Sequence, residues 1–422
     1  MKFKTVNELT DYLYHLPRLH EKSDLTYVKR VLKALGQPQD QVKCCHITGT
    51  NGKGSTAYYL SNLLQKAGQQ TGLFVSPFIV RFNERIQLNG QAIADEELLE
   101  AANRVEEAVD RLRESDPGFA LVTFEYEVAM AFDYFARKKC DYAVIEVGIG
   151  AEHDKTNVIT PAVSLITTIG MDHEQIIGPT LADIAREKSG IIKPGVPVVL
   201  GDIPPEVQGI IEDKIRRDAS PASWLGRDFQ VQVQADGCQL LLGSKEYRLP
   251  AWPLAEAKDA AMALAAFSSL PLALSRQQAE AALVQTTVPG RYQLLVKGGK
   301  SFLLDGAHNV QAGQQLLPYA RRLARERGGR LLVLAAMMKD KDLSDFLALF
   351  TEEAVTLTSL PYPRAAKQAD FPAWARERFA YEGDLKQALD QLAGRAADRD
   401  LVLVTGSFYL VSAALQLLQA GE

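Results

Sequence analysis

Apolar positions recur along this chain in two periods, short runs of aliphatic residues and longer stretches at helical spacing, and their alternation predicts an α/β protein. Cys44, Cys45 and Ile47 mark a short buried strand, after which Ala57, Leu60, Leu63, Leu64 and Ala67 line one helical face. Further strands are expected at 71–75, 141–147, 162–169 and 196–200, separated by amphipathic segments at 98–112 and 124–137, with a polar loop and hairpin over 76–90. This is the pattern of a doubly wound, mostly parallel sheet. Residues 224–249, with Val231, Val233, Leu240, Leu241 and Leu242, read as a small antiparallel side sheet, and 255–267 as a buried helix. A second alternation begins near Lys297-Gly298-Gly299. It runs through strand 302–304, helix 310–326, strand 331–335, helix 343–350 and strand 355–357. A helix around Ala373, helix 385–396, strand 401–404 and a last helix from Tyr409 complete it.

Composition narrows the picture. With 422 residues, 47% hydrophobic and 23% charged, the chain has the make-up of a globular protein with room for two or three cores. The net charge of −5, with Lys and Arg scattered, argues against nucleic acid as a partner. No apolar run reaches about 18 residues and no secretion core opens the chain, so no membrane association and a cytoplasmic location are expected. The four cysteines show no CxxC spacing; Cys44, Cys45 and Cys140 fall in expected strands and read as reduced small hydrophobes.

The densest chemistry lies in Thr48-Gly49-Thr50-Asn51-Gly52-Lys53-Gly54-Ser55-Thr56, a glycine turn with one lysine between a strand and a helix. Backbone N–H groups at a helix N-terminus favour phosphate oxygens, glycines permit close approach, Lys53 adds a mobile cation, and Ser55 or Thr56 offers a hydroxyl to phosphate or Mg²⁺. The spacing differs from the standard P-loop, because a glycine separates lysine from hydroxyl. The expected architecture is an N-terminal P-loop ATPase-like domain with its side sheet, 1–294, and a C-terminal Rossmann-like α/β domain, 298–422, with a hinge about 290–299.

Ligands of open α/β sheets sit beyond the carboxyl ends of strands, so residues there are the candidates. Glu146 ends one strand before Val147-Gly148-Ile149-Gly150 and suits Mg²⁺, or a solvated strand end. Asp172-His173 follows another strand, as ligand or as ordinary polar residues. Ser76-Pro77-Phe78 through Arg85 supplies hydroxyl, aromatic and cationic groups for an anionic or aromatic ligand. Lys188, near the end of a helix stopping at Gly190, reads from position alone as a solvated lysine. Asp305-Gly306-Ala307-His308-Asn309 sits between strand and helix, able to orient an amine, contact nucleotide or cap the helix; Arg291, at the hinge, is a cation for phosphate.

In this order the motifs resemble the folylpolyglutamate synthase and dihydrofolate synthase family, a branch of the Mur-type ATP-dependent amide ligases. The resemblance spans nearly the whole chain, from the glycine loop through Ser76-Pro77-Phe78, Glu146-Val147-Gly148-Ile149-Gly150, Asp172-His173 and Glu187-Lys188-Ser189-Gly190 to Pro289-Gly290-Arg291, Asp305-Gly306-Ala307-His308-Asn309 and Thr405-Gly406-Ser407. It implies that Thr50, Asn51, Gly52, Lys53, Gly54, Ser55 and Thr56 hold ATP phosphates. Ser76, Glu146 and His173 would ligate two Mg²⁺ ions. Lys188 would carry a carbamate, Arg291 and Asp305 would serve γ-phosphate and ribose or hinge, and His308 the nucleotide or incoming glutamate. Pro77, Phe78 and Arg85 would face the folate. The implied protein is a monomer that adds L-glutamate to folate through an acyl phosphate. A dihydrofolate synthase or bifunctional enzyme is one alternative, an ATP-dependent switch another. Two places depart from the family pattern. Ala255-Glu256-Ala257-Lys258-Asp259 stands where His-Gln-x-x-Asn is common near the adenine site, and His153 precedes Asp154 where an aliphatic residue is usual.

Overall fold

The first sheet is organised around β1 (Lys43–Thr48), whose one exposed residue followed by five buried ones reflects cover on both faces. In the computed structural model, which describes residues 2–17, 24–234 and 237–419, its partners are β2 (Thr71–Phe74), β3 (Ile86–Leu88), β4 (Gln91–Ala92), β5 (Tyr142–Glu146), β6 (Val163–Thr168), β7 (Val198–Asp202) and β8 (Ala222–Trp224). They lie in the order β4-β3-β2-β5-β1-β6-β7-β8, parallel except for the β2-β3-β4 edge. The chain travels from β1 to β2, returns to β5 beside β1 and then crosses to β6 on the other side. Strand order therefore reverses at β1, the position where open sheets bind ligands beyond their carboxyl ends. Residues after Thr48, Phe74, Glu146 and Thr168 share that rim.

Helical periodicity explains the cover. Helices Val6–His15, Thr26–Ala34, Asp95–Ser115 and Thr123–Arg137 bury Leu9, Val31, Val105 and Phe135 with Cys44, Phe74, Ala143 and Ile145. Leu181–Ser189 and Pro205–Asp218 bury Ile184, Val207 and Ile211 with Ile166, Val198 and Leu200. Helix Lys53–Lys66 packs along Leu254–Ser268. The expected side sheet forms from β9 (Phe229–Val233), β10 (Cys238–Leu242) and β11 (Lys245–Leu249), in antiparallel pairs, with 235 and 236 outside the described residues. It starts later than expected, because Trp224 ends β8, which pairs parallel to β7. Cys238 lies in β10, whereas Cys140 precedes β5 outside any strand; all four cysteines are buried thiols, and burial pushes those of Cys44, Cys45 and Cys140 up. Among the described residues no helix is long and apolar enough to cross a membrane.

A second compact unit takes Ile79–Arg81 and the described residues from Thr287 onward. Its sheet contains β12 (Gln293–Lys297), β13 (Lys300–Leu304), β14 (Leu331–Ala335), β15 (Ala354–Leu357), β16 (Ala380–Tyr381) and β17 (Leu401–Thr405), ordered β12-β13-β17-β14-β15-β16. Leu304, Val404, Leu389 and Leu410 share one core cluster, and Leu303, Val333, Leu316 and Phe346 another. β12 was not expected. It is a half-exposed edge strand, antiparallel to β13, whose apolar run is only the three residues Leu294-Leu295-Val296; residues from Thr287, Gln293 and Leu294 among them, belong to this unit.

Candidate active site

The turn after β1 is held open by its neighbours. Thr50 N–H donates to Thr168 O (2.9 Å), Asn51 N–H to Thr168 Oγ1 (2.9 Å) and Thr167 Oγ1–H to Asn51 O (2.5 Å). Thr50 Oγ1 lies 3.0 Å from both Gly170 O and Gly170 N, so this side chain ties the loop to the β6 rim. Gly52 caps helix Lys53–Lys66 with φ +83°, a left-handed conformation that glycine adopts without strain. Lys53 Nζ donates to Gly49 O (2.9 Å) and Thr50 O (3.3 Å), which places an ammonium over a helix N-terminus. Ser55 and Thr56 are buried, Thr56 completely. At Gly49 a β-carbon would stand 1.9 Å from Thr167 Oγ1 and 3.1 Å from Thr168 N. Gly49→Ala is accordingly expected to cost about 1–3 kcal/mol of stability and to weaken ADP binding at least ~tenfold, measured by thermal unfolding and calorimetric titration.

The carboxylate of Glu146 adjoins this loop. Its Oε2 accepts the Ser76 N–H at 2.8 Å, and its Oε1 lies 3.6 Å from the position of a β-carbon on Gly54. Ser76, Glu146 and the loop are thus brought together. Across the rim, His173 adopts a left-handed backbone (φ +53°), and its Nε2 lies 3.7 Å from Asp172 Oδ2. Among the described residues no three His, Cys, Asp or Glu side chains gather into a metal cage. A sparse donor set fits Mg²⁺, which takes one or two carboxylates and completes its octahedron from phosphates and water.

Lys188 differs from the surface lysine that its position suggests. It is only 5% exposed, and burial lowers its pKa to about 7, with Lys53 pushing the same way against Asp172, Glu187 and Asp154. The signal was in the sequence, since Lys188 follows buried Ile184 by four residues and shares its face. Beside it, Glu187 accepts from the N–H groups of Ala151 (3.2 Å) and His153 (3.0 Å), with the His153 ring at 2.8 Å.

Asp154 was missed as an organiser of this loop. It accepts the N–H groups of Gly148 (3.1 Å), Ile149 (3.0 Å) and Thr156 (2.9 Å) and lies 2.5 Å from Thr156 Oγ1. An Asp followed two residues on by Thr is the available signature, an Asx turn.

The substrate candidates after β2 are partly committed to each other. Arg85 lies 5.2 Å from the Phe78 ring and 5.7 Å from Phe82, with its Nε 3.4 Å from Oε1 of the buried Glu127. Pro77 is exposed and Phe78 half-buried. In the departing segment, Glu256 accepts from the Tyr59 hydroxyl, Lys258 pairs with Asp202 at 2.7 Å, and Asp259 Oδ1 stands 2.2 Å from where a β-carbon on Gly52 would lie.

In the second unit Asp305 follows β13. Its Oδ1 accepts the Ala307 N–H at 2.8 Å and its Oδ2 the Tyr292 N–H at 2.9 Å, while Arg291 Nη1 lies 3.8 Å away. Burial pushes its pKa up and Arg291 opposes that. Through these bonds Asp305 ties Tyr292, next to Arg291, to the strand tip. Arg291 lies 4.4 Å over Phe408, and His308 Nδ1 donates to Gly306 O at 2.8 Å.

The chain is similar to known proteins over both of its units. Residues 47–210 match the Mur ligase middle domain and 290–408 the Mur ligase glutamate ligase domain. The chain is 33% identical to the folylpolyglutamate synthase of Lacticaseibacillus casei, over 98% of this chain and 99% of that one. It is 30% identical to the dihydrofolate synthase/folylpolyglutamate synthase of Bacillus subtilis, over 97% and 98%. Among solved structures, E. coli FolC in complex with DHPP and ADP superposes with a TM-score of 0.89 at 27% identity, over 100% of this chain and 99% of that one.

Proposed function

The chain belongs to the folylpolyglutamate synthase and dihydrofolate synthase family of Mur ligases, ATP-dependent enzymes that form amide bonds, and from that premise we propose how its own residues attach L-glutamate to folate. The observation that carries the proposal is Lys53 lying over the glycine loop at the sheet's reversal point, with the Glu146 carboxylate adjoining the same loop. The loop amides and Lys53 hold ATP. Ser76, Glu146 and His173 would hold Mg²⁺, which when bound offsets charge on the phosphates. The terminal carboxylate of the folate attacks the γ-phosphorus, and the bond to the β,γ-bridging oxygen breaks to release ADP and leave an acyl phosphate. The glutamate amine then attacks the acyl carbon, phosphate leaves and the amine loses a proton. In the second unit Arg291 would meet phosphate and His308 the amino acid, while Pro77, Phe78 and Arg85 bear on the folate.

Lys188 carries a finer part of this proposal. A neutral amine attacks CO₂ and loses a proton to become a carbamate, and near neutral pH a large fraction of this buried amine is neutral. The product is an anion within electrostatic reach of Lys53 and of Asp172, the neighbour of the metal candidate His173. Monomeric, cytoplasmic operation completes the proposal, supported for the compartment by four cysteines that stay thiols.

Phosphate release from ATP, Mg²⁺ and L-glutamate tests the reaction, with tetrahydrofolate monoglutamate or dihydropteroate as acceptor and products weighed by mass spectrometry. A gain of one glutamate on the folate is expected. A gain on dihydropteroate too makes the enzyme bifunctional, as relatives named for both activities suggest. No gain on either acceptor would remove the ligase proposal and favour an ATP-dependent switch.

A further inference from the structure

A buried chain of hydrogen bonds joins β1, which leads into the phosphate loop, to the turn that follows Glu146. His46 on β1 is fully buried, and its Nε2 lies 2.8 Å from Thr156 Oγ1. Thr156 Oγ1 in turn lies 2.5 Å from Asp154 Oδ1. The direction of the chain follows from proton counting. Asp154 faces three backbone N–H groups, those of Gly148, Ile149 and Thr156, and these can only donate. Burial raises the Asp154 pKa, and the three N–H groups and the Thr156 hydroxyl oppose that by favouring the anion; the Thr156 hydroxyl then points its proton at the carboxylate, and its oxygen accepts from His46 Nε2–H. Nδ1 is then the bare nitrogen, and it is buried without a hydrogen-bond partner among the described residues. The reverse order would bury an unsatisfied N–H donor at Nδ1, a costlier arrangement than a bare acceptor. Burial also lowers the imidazole pKa to about 3, which keeps the ring neutral.

The chain ends on the two amides directly after Val147, whose own N–H donates to Ile47 O on β1 at 2.9 Å. β1 and the turn are thus tied at two levels, by the sheet and by the side-chain relay. We propose that His46 is a positioning residue that acts through Thr156 and Asp154 to hold the Gly148-Ile149 turn, and with it the Glu146 carboxylate, in register with the phosphate loop for a nucleotide-bound divalent cation. This rests on the ligase proposal only for its consequence in turnover; the tautomer and the cation dependence of nucleotide binding are independent of it.

The test combines two measurements. In full-length protein carrying ¹⁵N-histidine, with the His46 signal assigned by its loss in His46→Gln, the ring is expected to stay neutral with hydrogen on Nε2 from pH 5.5 to 8. Hydrogen on Nδ1 would overturn the relay. ADP binding is then titrated at varied Mg²⁺ in Thr156→Val, which keeps the shape and removes the hydroxyl, and in Thr156→Ser, which keeps the hydroxyl. Thr156→Val is expected to raise the Mg²⁺ concentration for half-maximal tightening about tenfold or more, with Thr156→Ser near wild type. Affinity for ADP without Mg²⁺ should be unchanged in both. An equal loss with and without Mg²⁺, or no shift at all, would overturn positioning in favour of a general packing role. Should Thr156→Val not fold, His46→Gln, whose amide can still donate, against His46→Leu, which cannot, puts the same question. A wild-type protein that adds no glutamate yet shows the Thr156→Val shift loses the ligase proposal and keeps this one.

Discussion

Lys53→Ala is expected to lower glutamate-dependent ADP formation by about a thousandfold or more while leaving the fold intact. Lys53 Nζ donates to the loop carbonyls of Gly49 and Thr50, and removing those two bonds forfeits modest net stability, about 1 kcal/mol. In turnover the same ammonium faces charge moving between phosphates, where a preorganised cation matters most. Glu146→Ala should match it in rate, for loss of a carboxylate that adjoins the loop and suits Mg²⁺. Steady-state rates paired with ADP titration separate the two. Lys53→Ala should weaken ADP binding with or without Mg²⁺, Glu146→Ala chiefly with it. Wild-type turnover in either variant would remove that residue from the site.

Lys188→Ala is expected to lose about a hundredfold or more in rate and to regain part of it with short carboxylates that stand in for a carbamate. Full activity without them would end the carbamate proposal. The wild-type pH dependence has a defined sign. With its pKa lowered from 10.5 to about 7, Lys188 binds fewer protons folded than unfolded between those values, so its contribution to stability rises with pH across that window. Below about pH 7 the buried amine becomes charged, and both the stability penalty and the loss of a CO₂-reactive amine are fully present. Activity in CO₂-depleted buffer should therefore fall as pH drops through 7 and recover on adding bicarbonate, more completely at pH 8 than at pH 6. Rates indifferent to bicarbonate at pH 8 after CO₂ depletion would count against the carbamate.

Much of the architecture is legible without coordinates where the pattern is local. Helix Val310–Glu326 and strand Leu331–Ala335 fall where apolar spacing predicts them, and the glycine loop lies between β1 and its helix as expected. Legibility fails where a position depends on distant neighbours. β12 is a five-residue strand beside Gly298-Gly299 whose apolar Leu294 and Val296 face outward at 51% and 70% exposure, so only its pairing with β13 marks it as a strand. Lys188 looks like a helix-end lysine until the residues packed around it remove its water. Asp305 looks like an open strand-end carboxylate until the fold brings the N–H groups of Tyr292 and Ala307 onto its oxygens.

The sequence by itself determined most of the alternation of strands and helices and the glycine loop, because those depend on residue period, glycine content and side-chain type within a few positions. It also carried the ordered motifs that resemble a ligase family. Tertiary structure alone decided the protonation of Lys188, the engagement of Asp305 and the relay from His46 to Thr156, whose members stand 110 residues apart. Desolvation and hydrogen-bond direction depend on which remote groups the fold presses together, and a local pattern of apolar and polar residues does not encode that.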